Sequence, residues 1–230
     1  CPVDVSLPVS VATHQTDLSD WLDGSAFARH GAPTVWYHGT DVADDFNIFT
    51  TWGESSIGFH FGSAPTASAR LSTTRLPEDL DDLDACRIIP VYCRAQRPLR
   101  LKDHHCWRID RVAAELADLG LVSAEIEDHI AVGCDEFAVF AAIEAAGFDS
   151  VIYANATESE GRLDDSLLIW RPELVKSIFA SIFNPADPRI LPERPERSRD
   201  LQRWQTNRDL LNEAARRLTE IAPVPASPVP

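Results

Sequence analysis

The period of the hydrophobic pattern changes twice along the chain, and this constrains the fold more than any other feature of the sequence. Residues 57–61 (IGFHF) place Ile57, Phe59 and Phe61 on one face and Gly58 and His60 on the other, the two-residue repeat of a strand. The stretches 35–40 (VWYHGT) and 87–95 (RIIPVYCRA) are rich in β-branched and aromatic residues, and residues 99–101 extend the latter after a turn at Pro98. The period then lengthens. Ile109, Val112, Ala113 and Leu116 recur at helical spacing until Gly120, and Phe137, Phe140, Ala141 and Ile143 do so until Gly147. Strands return at 150–154 (SVIYA) and 166–170 (SLLIW). Helices gathered in one block between two groups of strands do not fit the one-for-one alternation of a doubly wound sheet, so the expected fold class is α+β.

Five segments follow along the 230 residues. Residues 1–33 read as a lead-in with a short amphipathic piece around Leu18 to Phe27, and 34–183 as the main domain. Within it, Ser63 and Pro65 open a short helix after the 57–61 strand, and the five acids of 76–84 (LPEDLDDLD) read as a solvated loop. The proline-rich stretch 184–196 reads as a linker. Leu201, Trp204, Leu211, Ala215 and Leu218 then mark an amphipathic helix over 197–222, and 223–230 as a disordered tail. The helix is expected to pack back on the domain; the alternative is a partner-binding or dimerising helix. Residues 187–222 carry eight Arg against seven Asp or Glu, so the chain's net charge of −15 lies almost entirely outside them.

That charge, 21 Lys plus Arg against 36 Asp plus Glu, repels a phosphate backbone and makes nucleic acid an unexpected partner. No apolar run approaches the roughly 18 residues of a membrane-spanning helix, so no membrane partner is expected either. Five scattered cysteines without a CxxC pair point to a reducing compartment. Cys1 at the start and the absence of methionine are expected of a segment excised from a longer chain. No metal is expected, since HExxH is missing and His104-His105-Cys106 lacks a second pair at zinc spacing. GxSxG, the P-loop and GxGxxG are missing as well. Cys106 or Cys134 with a distant histidine would make a thiol nucleophile, against which stands the burial usual for unpaired cysteines.

Three ordered pieces carry the stronger signal. They are Tyr37-His38-Gly39-Thr40 at a strand end, 58–69 (GFHFGSAPTASA), and Tyr153-Ala154-Asn155 with Glu158 and Glu160, leading into Asp165 and 166–177 (SLLIWRPELVKS). In this order and at these separations they resemble the ADP-ribosyltransferase superfamily, in its polyvalent and bacterial-effector branch, over about 34–178. The resemblance implies a split β-sheet core with helices inserted between strands and a C-terminal helix. It implies NAD+ as co-substrate, with His38 on a ribose hydroxyl and the backbone of Gly39 on the carboxamide, beside Tyr37 and Thr40. Phe59, His60 and Phe61 would form the platform at the nicotinamide, with His60 where the family usually has tyrosine, and Ser68 falls at the family's helix serine. The usual second stacking tyrosine falls near Leu71. The structural alternative for Phe59 and Phe61 is core packing.

Transfer of ADP-ribose passes through an oxocarbenium-like state, so one carboxylate near the anomeric carbon is needed. Three candidates stand in order: Glu158, Glu160 and Asp165. Glu158 and Glu160 form an E-x-E pair like that of arginine-directed members, in which one acid would steady the ribose and the other accept the acceptor's proton. The resemblance implies a mono-ADP-ribosyltransferase acting on a protein, of bacterial effector or toxin type, secreted and working in a host cytoplasm. Ubiquitin or a small GTPase exemplifies such targets, and an acidic surface suits a basic partner. The alternatives are a catalytically inactive binding module on the same fold and an RNA 2′-phosphotransferase, which would need a basic groove.

Overall fold

The computed structural model describes residues 18–29, 32–41, 46–51, 57–73, 86–159, 164–195 and 197–221. The acidic stretch 76–84, Glu160 and the tail 223–230 lie outside the described residues. A short ribbon of β1 (Ala28–Arg29) and β2 (Ala32–Pro33) leads into β3 (Val35–Thr40). β4 (Phe59–Phe61), α1 (Ala64–Thr73), β5 (Arg87–Cys93) and β6 (Pro98–Arg100) follow. The helical block is α2 (Ile109–Asp118), α3 (Ala124–Gly133) and α4 (Glu136–Ala145). β7 (Ser150–Ala154), β8 (Asp165–Ile169), β9 (Val175–Ser177) and α5 (Ser198–Ile221) complete the chain.

The strands form two sheets beside the ribbon, one ordered β3-β5-β9 and the other β4-β8-β7-β6. All neighbours pair antiparallel except β6 and β7, which run parallel with Leu99 opposite Val151. Parallel neighbours need a crossover of a dozen or more residues, and the helical block seen in the sequence is that crossover. Its turns are set locally. Ser123 accepts a hydrogen bond from the Ile126 amide at the start of α3, and Asp135 accepts from Phe137 and Ala138 at the start of α4. Between its two glutamates α4 is apolar on every side: Ala138 through Ile143 are all buried, which makes it the central helix of one core.

A second core lies between the two sheets, where Trp36 and Val91 meet Phe61, Leu167 and Ile169. The two sheets also touch along their backbones, Tyr37 and Gly62 exchanging hydrogen bonds of 2.9 and 3.0 Å. The α+β class and its split sheet are as the residues and the resemblance imply.

Three segments pack more tightly than their composition suggests. In the lead-in, Phe27 is buried edge-on to Trp36 with ring centroids 5.2 Å apart, and Trp21 packs against Phe183. The proline-rich stretch is a strap bound to the domain, not a free linker. Ile190 is buried in the second core, and Asn47 donates to the carbonyls of Leu191 and Arg194 while accepting from the Leu191 amide. Lys176, itself buried, donates to the carbonyl of Asp187 at 2.6 Å, and burial pushes its ammonium down to about 8. Prolines remove backbone donors and so forbid ladders, yet carbonyls that side chains satisfy still pack. α5 lies against α4, burying Leu211, Ala214 and Leu218 in the first core, whereas Ala215 is exposed. Burial of each leucine is worth about 1.5–3 kcal/mol.

Candidate active site

The backbone pairing of Tyr37 with Gly62 brings the end of β3 beside the end of β4 and opens a cleft of about 670 Å³. His38 stands on its wall. Its Nδ1 lies 2.8 Å from the carbonyl of His60, and because a carbonyl only accepts, the ring proton sits on Nδ1 and Nε2 keeps its lone pair. Burial lowers the imidazole's pKa below its ordinary value, and the nearby charge of Arg70 lowers it further, so His38 is a neutral acceptor. Gly39, next along β3, is required by packing: a Cβ there would lie 2.4 Å from the carbonyl oxygen of Ala67 and 3.2 Å from Leu71 Cγ. The missing side chain lets α1 lie directly on β3, which puts Thr66 and Arg70 on the cleft wall. Close approach of a helix thus explains this glycine without reference to a ligand.

The opposite wall is built by the turn that follows β7. Asn155, only 2% exposed, donates both amide hydrogens, to Glu158 Oε2 at 2.7 Å and to Ser166 Oγ at 3.0 Å. Its Oδ1 accepts the Glu158 amide at 2.8 Å. The Glu158 carboxylate, 16% exposed, borders the cleft and pairs with Arg70 Nη1 at 3.5 Å. Asp165 faces elsewhere. It forms a two-pronged ion pair with Arg100 at 3.0 Å for each oxygen and does not line the cleft, whereas its neighbour Ser166 does. Strand alternation accounts for the difference between these adjacent residues.

A third wall comes from residues 103–107, between β6 and α2. Asp103 accepts from the amides of His105, Ala156 and Thr157 and from the Thr157 hydroxyl, tying this loop to the Glu158 turn. Burial pushes the Asp103 carboxyl up, and these hydrogen bonds more than reverse the shift, leaving it below the usual value. His105 and Trp107 adopt positive φ of 56° and 42°, a left-handed conformation costing a residue with a side chain about 1–2 kcal/mol. The Asp103 hydrogen bonds offset that cost. Trp107 is thereby packed with its ring centroid 4.5 Å from Tyr153 and 5.3 Å from His60. His60 donates from Nε2 to the Ile57 carbonyl and accepts the Tyr153 hydroxyl proton on Nδ1 at 2.9 Å. Burial, followed by the charge of Arg70, pushes His60 down to about 3, and burial also raises the Tyr153 phenol. Both rings are neutral.

Of the residues singled out from the sequence, Tyr37, His38, Gly39, Thr40, His60, Phe61 and Glu158 border this cleft, together with Leu71, Cys106, Tyr153 and Asn155. Phe59 does not: it is buried in the core with its ring 5.2 Å from Phe49. Ser68 is exposed on α1 and is not a cleft residue; the helix turns Thr66, Ala67 and Arg70 inward instead. The sequence reading did not single out Arg70, Asp103, Trp107 or Ser166 for this cleft. A Trp beside an Asp-His-His run, between a strand and a helix, was the available signal for the third wall. Cys106 and Cys134 are exposed, contrary to the burial usual for unpaired cysteines.

A family model for ADP-ribosyltransferases in polyvalent proteins matches residues 28–184, from β1 to the end of the strand group and short of α5. The chain belongs to this family. No curated protein and no solved structure matches it. As an ADP-ribosyltransferase domain it draws on a family that uses NAD+ as the ADP-ribose donor. The cleft suits such a substrate in size, being within the roughly 300–1,000 Å³ of small-molecule sites, and in having an aromatic wall, a neutral imidazole and a carboxylate. Among the described residues, no group of three or more His, Cys, Asp or Glu stands together as a metal site, and no helix is long and apolar enough to cross a membrane.

Proposed function

We propose that the chain is a mono-ADP-ribosyltransferase that takes NAD+ as donor and places one ADP-ribose on a side chain of a protein. The observation that carries this reading is the meeting of His38 and Glu158, remote in sequence, on the wall of one cleft. In the reaction the glycosidic C–N bond breaks and nicotinamide leaves as a neutral ring with the bonding pair. The anomeric carbon takes on positive charge, against which the carboxylate of Glu158 supplies the negative field. His38 Nε2, left basic by the hydrogen bond at Nδ1, accepts from a ribose hydroxyl and orients the sugar. Trp107, Tyr153 and His60 offer the ring surface that Leu71 does not. The acceptor's nucleophilic atom bonds to the same carbon, and its proton passes to Glu158 or to water.

A protein acceptor is supported by charge. Arg70 is the one Arg or Lys among the described residues of the cleft wall, which also holds Asp41, Asp103 and Glu158. An RNA substrate would call for the reverse balance. Together with the net charge of −15 this favours a basic acceptor surface. Action as a bacterial effector on a host regulatory protein such as ubiquitin or a small GTPase is part of the proposal supported by the resemblance alone.

The test is incubation of the full chain with NAD+ and a cell lysate, following released nicotinamide and the mass of labelled proteins. Wild type is expected to release nicotinamide and to label protein, and His38→Ala to lower both by about 10²-fold while keeping its circular dichroism. No release and no NAD+-dependent thermal shift in the wild type would replace the enzyme by a binding module on the same fold.

A further inference from the structure

Placing an ADP-ribose on a protein side chain leaves one proton over, that of the attacking atom, and the cleft must give it a destination. Glu158 is ill suited to take it while the new bond forms. Its charge faces the anomeric carbon in the proposed reaction and would vanish on protonation, and its oxygens already meet Asn155 and Arg70. His60 has both ring nitrogens engaged, by the Ile57 carbonyl and the Tyr153 hydroxyl. His38 is buried, with its Nδ1 on the His60 carbonyl and its Nε2 given to the ribose. Water serves hydrolysis, yet a docked protein displaces it from the mouth of the cleft.

The third wall carries a histidine of a different kind. His105 borders the cleft with its side chain 64% exposed, and its Nε2 makes no hydrogen bond among the described residues. Its Nδ1 meets Thr157 Oγ1. The direction of that bond is fixed by the next one: the hydroxyl has a single proton, which it gives to Asp103 Oδ2 at 3.2 Å, so the ring donates from Nδ1. Nε2 then holds its lone pair toward the open cleft. The Asp103 carboxylate, 9% exposed, also accepts the amides of His105 and Thr157, which fixes both partners of the relay. Its Oδ2 lies 3.8 Å from His105 Nδ1, close enough to stabilise the imidazolium that forms when Nε2 gains a proton. A carboxylate that sets the tautomer and steadies the charged ring is what makes an imidazole a base toward a nucleophile.

Building on the NAD+ reading above, we propose that His105 is the general base toward the acceptor, taking its proton on Nε2, with Thr157 and Asp103 as positioning residues. The glycosidic C–N bond breaks and nicotinamide leaves with the bonding pair. The acceptor's heteroatom gives a lone pair to the anomeric carbon, its proton passes to His105 Nε2, and the imidazolium later returns that proton to water. Glu158 keeps its charge throughout. The acceptor is therefore a group that brings a proton into the reaction, a hydroxyl of Ser or Thr or a nitrogen of Arg, and not a carboxylate.

The experiment follows labelling of the proteins of a cell lysate by the full chain and NAD+, with the modified residues mapped by mass spectrometry. His105→Gly is the first variant, because the φ of 56° at this position is one that glycine adopts without strain. Labelling is expected to fall about 10²-fold, within the range of a lost general base, while the thermal shift given by NAD+ stays that of wild type. Imidazole added to the buffer is expected to restore labelling by His105→Gly in part, which a purely structural role for the side chain would not allow. Thr157→Val is expected to lower labelling about tenfold, the worth of one charge-assisted hydrogen bond, and Thr157→Ser to recover most of it. Labels are expected on Ser, Thr or Arg. Labelling by His105→Gly at the wild-type rate overturns the inference and leaves NAD+ use standing, as do labels confined to Asp and Glu or nicotinamide release with no labelled protein. Low labelling that imidazole leaves unchanged, or that comes with loss of the NAD+ thermal shift, also overturns it and makes His105 a structural part of the wall. Wild type that shows no NAD+ shift and releases no nicotinamide removes the functional reading and the inference with it.

Discussion

Two carboxylates flank the end of the four-stranded sheet, Glu158 in the turn after β7 and Asp165 at the start of β8, and their neighbours set them to different work. Glu158 is 16% exposed, lies on the cleft, is held by a neutral amide, and meets a guanidinium, that of Arg70, at 3.5 Å through one nitrogen. Asp165 is 41% exposed, lies off the cleft, and is neutralised by both nitrogens of Arg100. A carboxylate that must act on developing positive charge needs neutral donors to place it and no tight cation to quench it. Only Glu158 meets that condition among the described residues of the two segments.

The largest effect expected from this contrast is that of Glu158→Gln, which keeps the shape and removes the charge. Nicotinamide release should fall by about 10²–10³-fold, the range seen on removing one group that stabilises transition-state charge. Rates measured at saturating NAD+ check this. A fall confined to KM would show that the carboxylate only binds.

Asn155→Ala attacks the support of the acid instead of the acid. It leaves the Glu158 amide, one Glu158 oxygen and Ser166 Oγ without their partner in a buried place, a loss of about 1–3 kcal/mol for such groups. Thermal unfolding should drop by about 2–4 °C for each kcal/mol in a chain of this size. The rate constant for nicotinamide release should fall as well, since the amide places the acid.

What could be read from the residues follows the range of the forces involved. The strands, the helical block and its place between β6 and β7 are legible because each rests on local periodicity and on caps such as Asp135. His38 is legible for the same reason, standing at the end of a strand whose pattern is plain. The division between Glu158 and Asp165 is not, because it turns on strand register. Tyr153 opposes Ser166 and Ala154 opposes Asp165, and a slip of one residue would exchange the faces of Ser166 and Asp165. Arg70 and Ser68 are separated in the same way by helix phase, which the small residues of 63–70 (SAPTASAR) do not mark. Trp107 reaches the cleft only through a left-handed backbone stabilised by Asp103, a residue whose partners 156 and 157 lie far along the chain. The proline-rich strap misleads because proline content reports the lack of a ladder, whereas packing there is decided by Asn47 and Lys176 from other segments.

The buried imidazole of His60 also makes the fold sensitive to acid. His60 has its pKa pushed down to about 3 by burial, against an ordinary value near 6.5, so the unfolded chain binds a proton that the folded chain refuses between those values. Stability therefore rises with pH across that window, by at most about 1.4 kcal/mol per pH unit for one proton, and is lost as pH falls through it. His60→Gln should flatten the slope of unfolding free energy against pH over about 3–6.5 relative to wild type. An unchanged slope would mean that His60 is protonated in the fold and that its hydrogen bond with Tyr153 runs in the other direction.

Asp165→Asn is the smallest change and the one most able to undo the contrast. The forked pair with Arg100 has good geometry, but both side chains are well exposed, at 41% and 58%, so water screens it and its loss should cost about 0–1 kcal/mol. Nicotinamide release should stay within experimental error of wild type, because Asp165 lies on the side of β8 opposite Ser166. The two outcomes separate cleanly when measured beside Glu158→Gln under one set of conditions. If Asp165→Asn lost activity as severely while Glu158→Gln kept it, the working acid would stand at the strand start, and the cleft that joins His38 to Glu158 would have to be redrawn around Arg100.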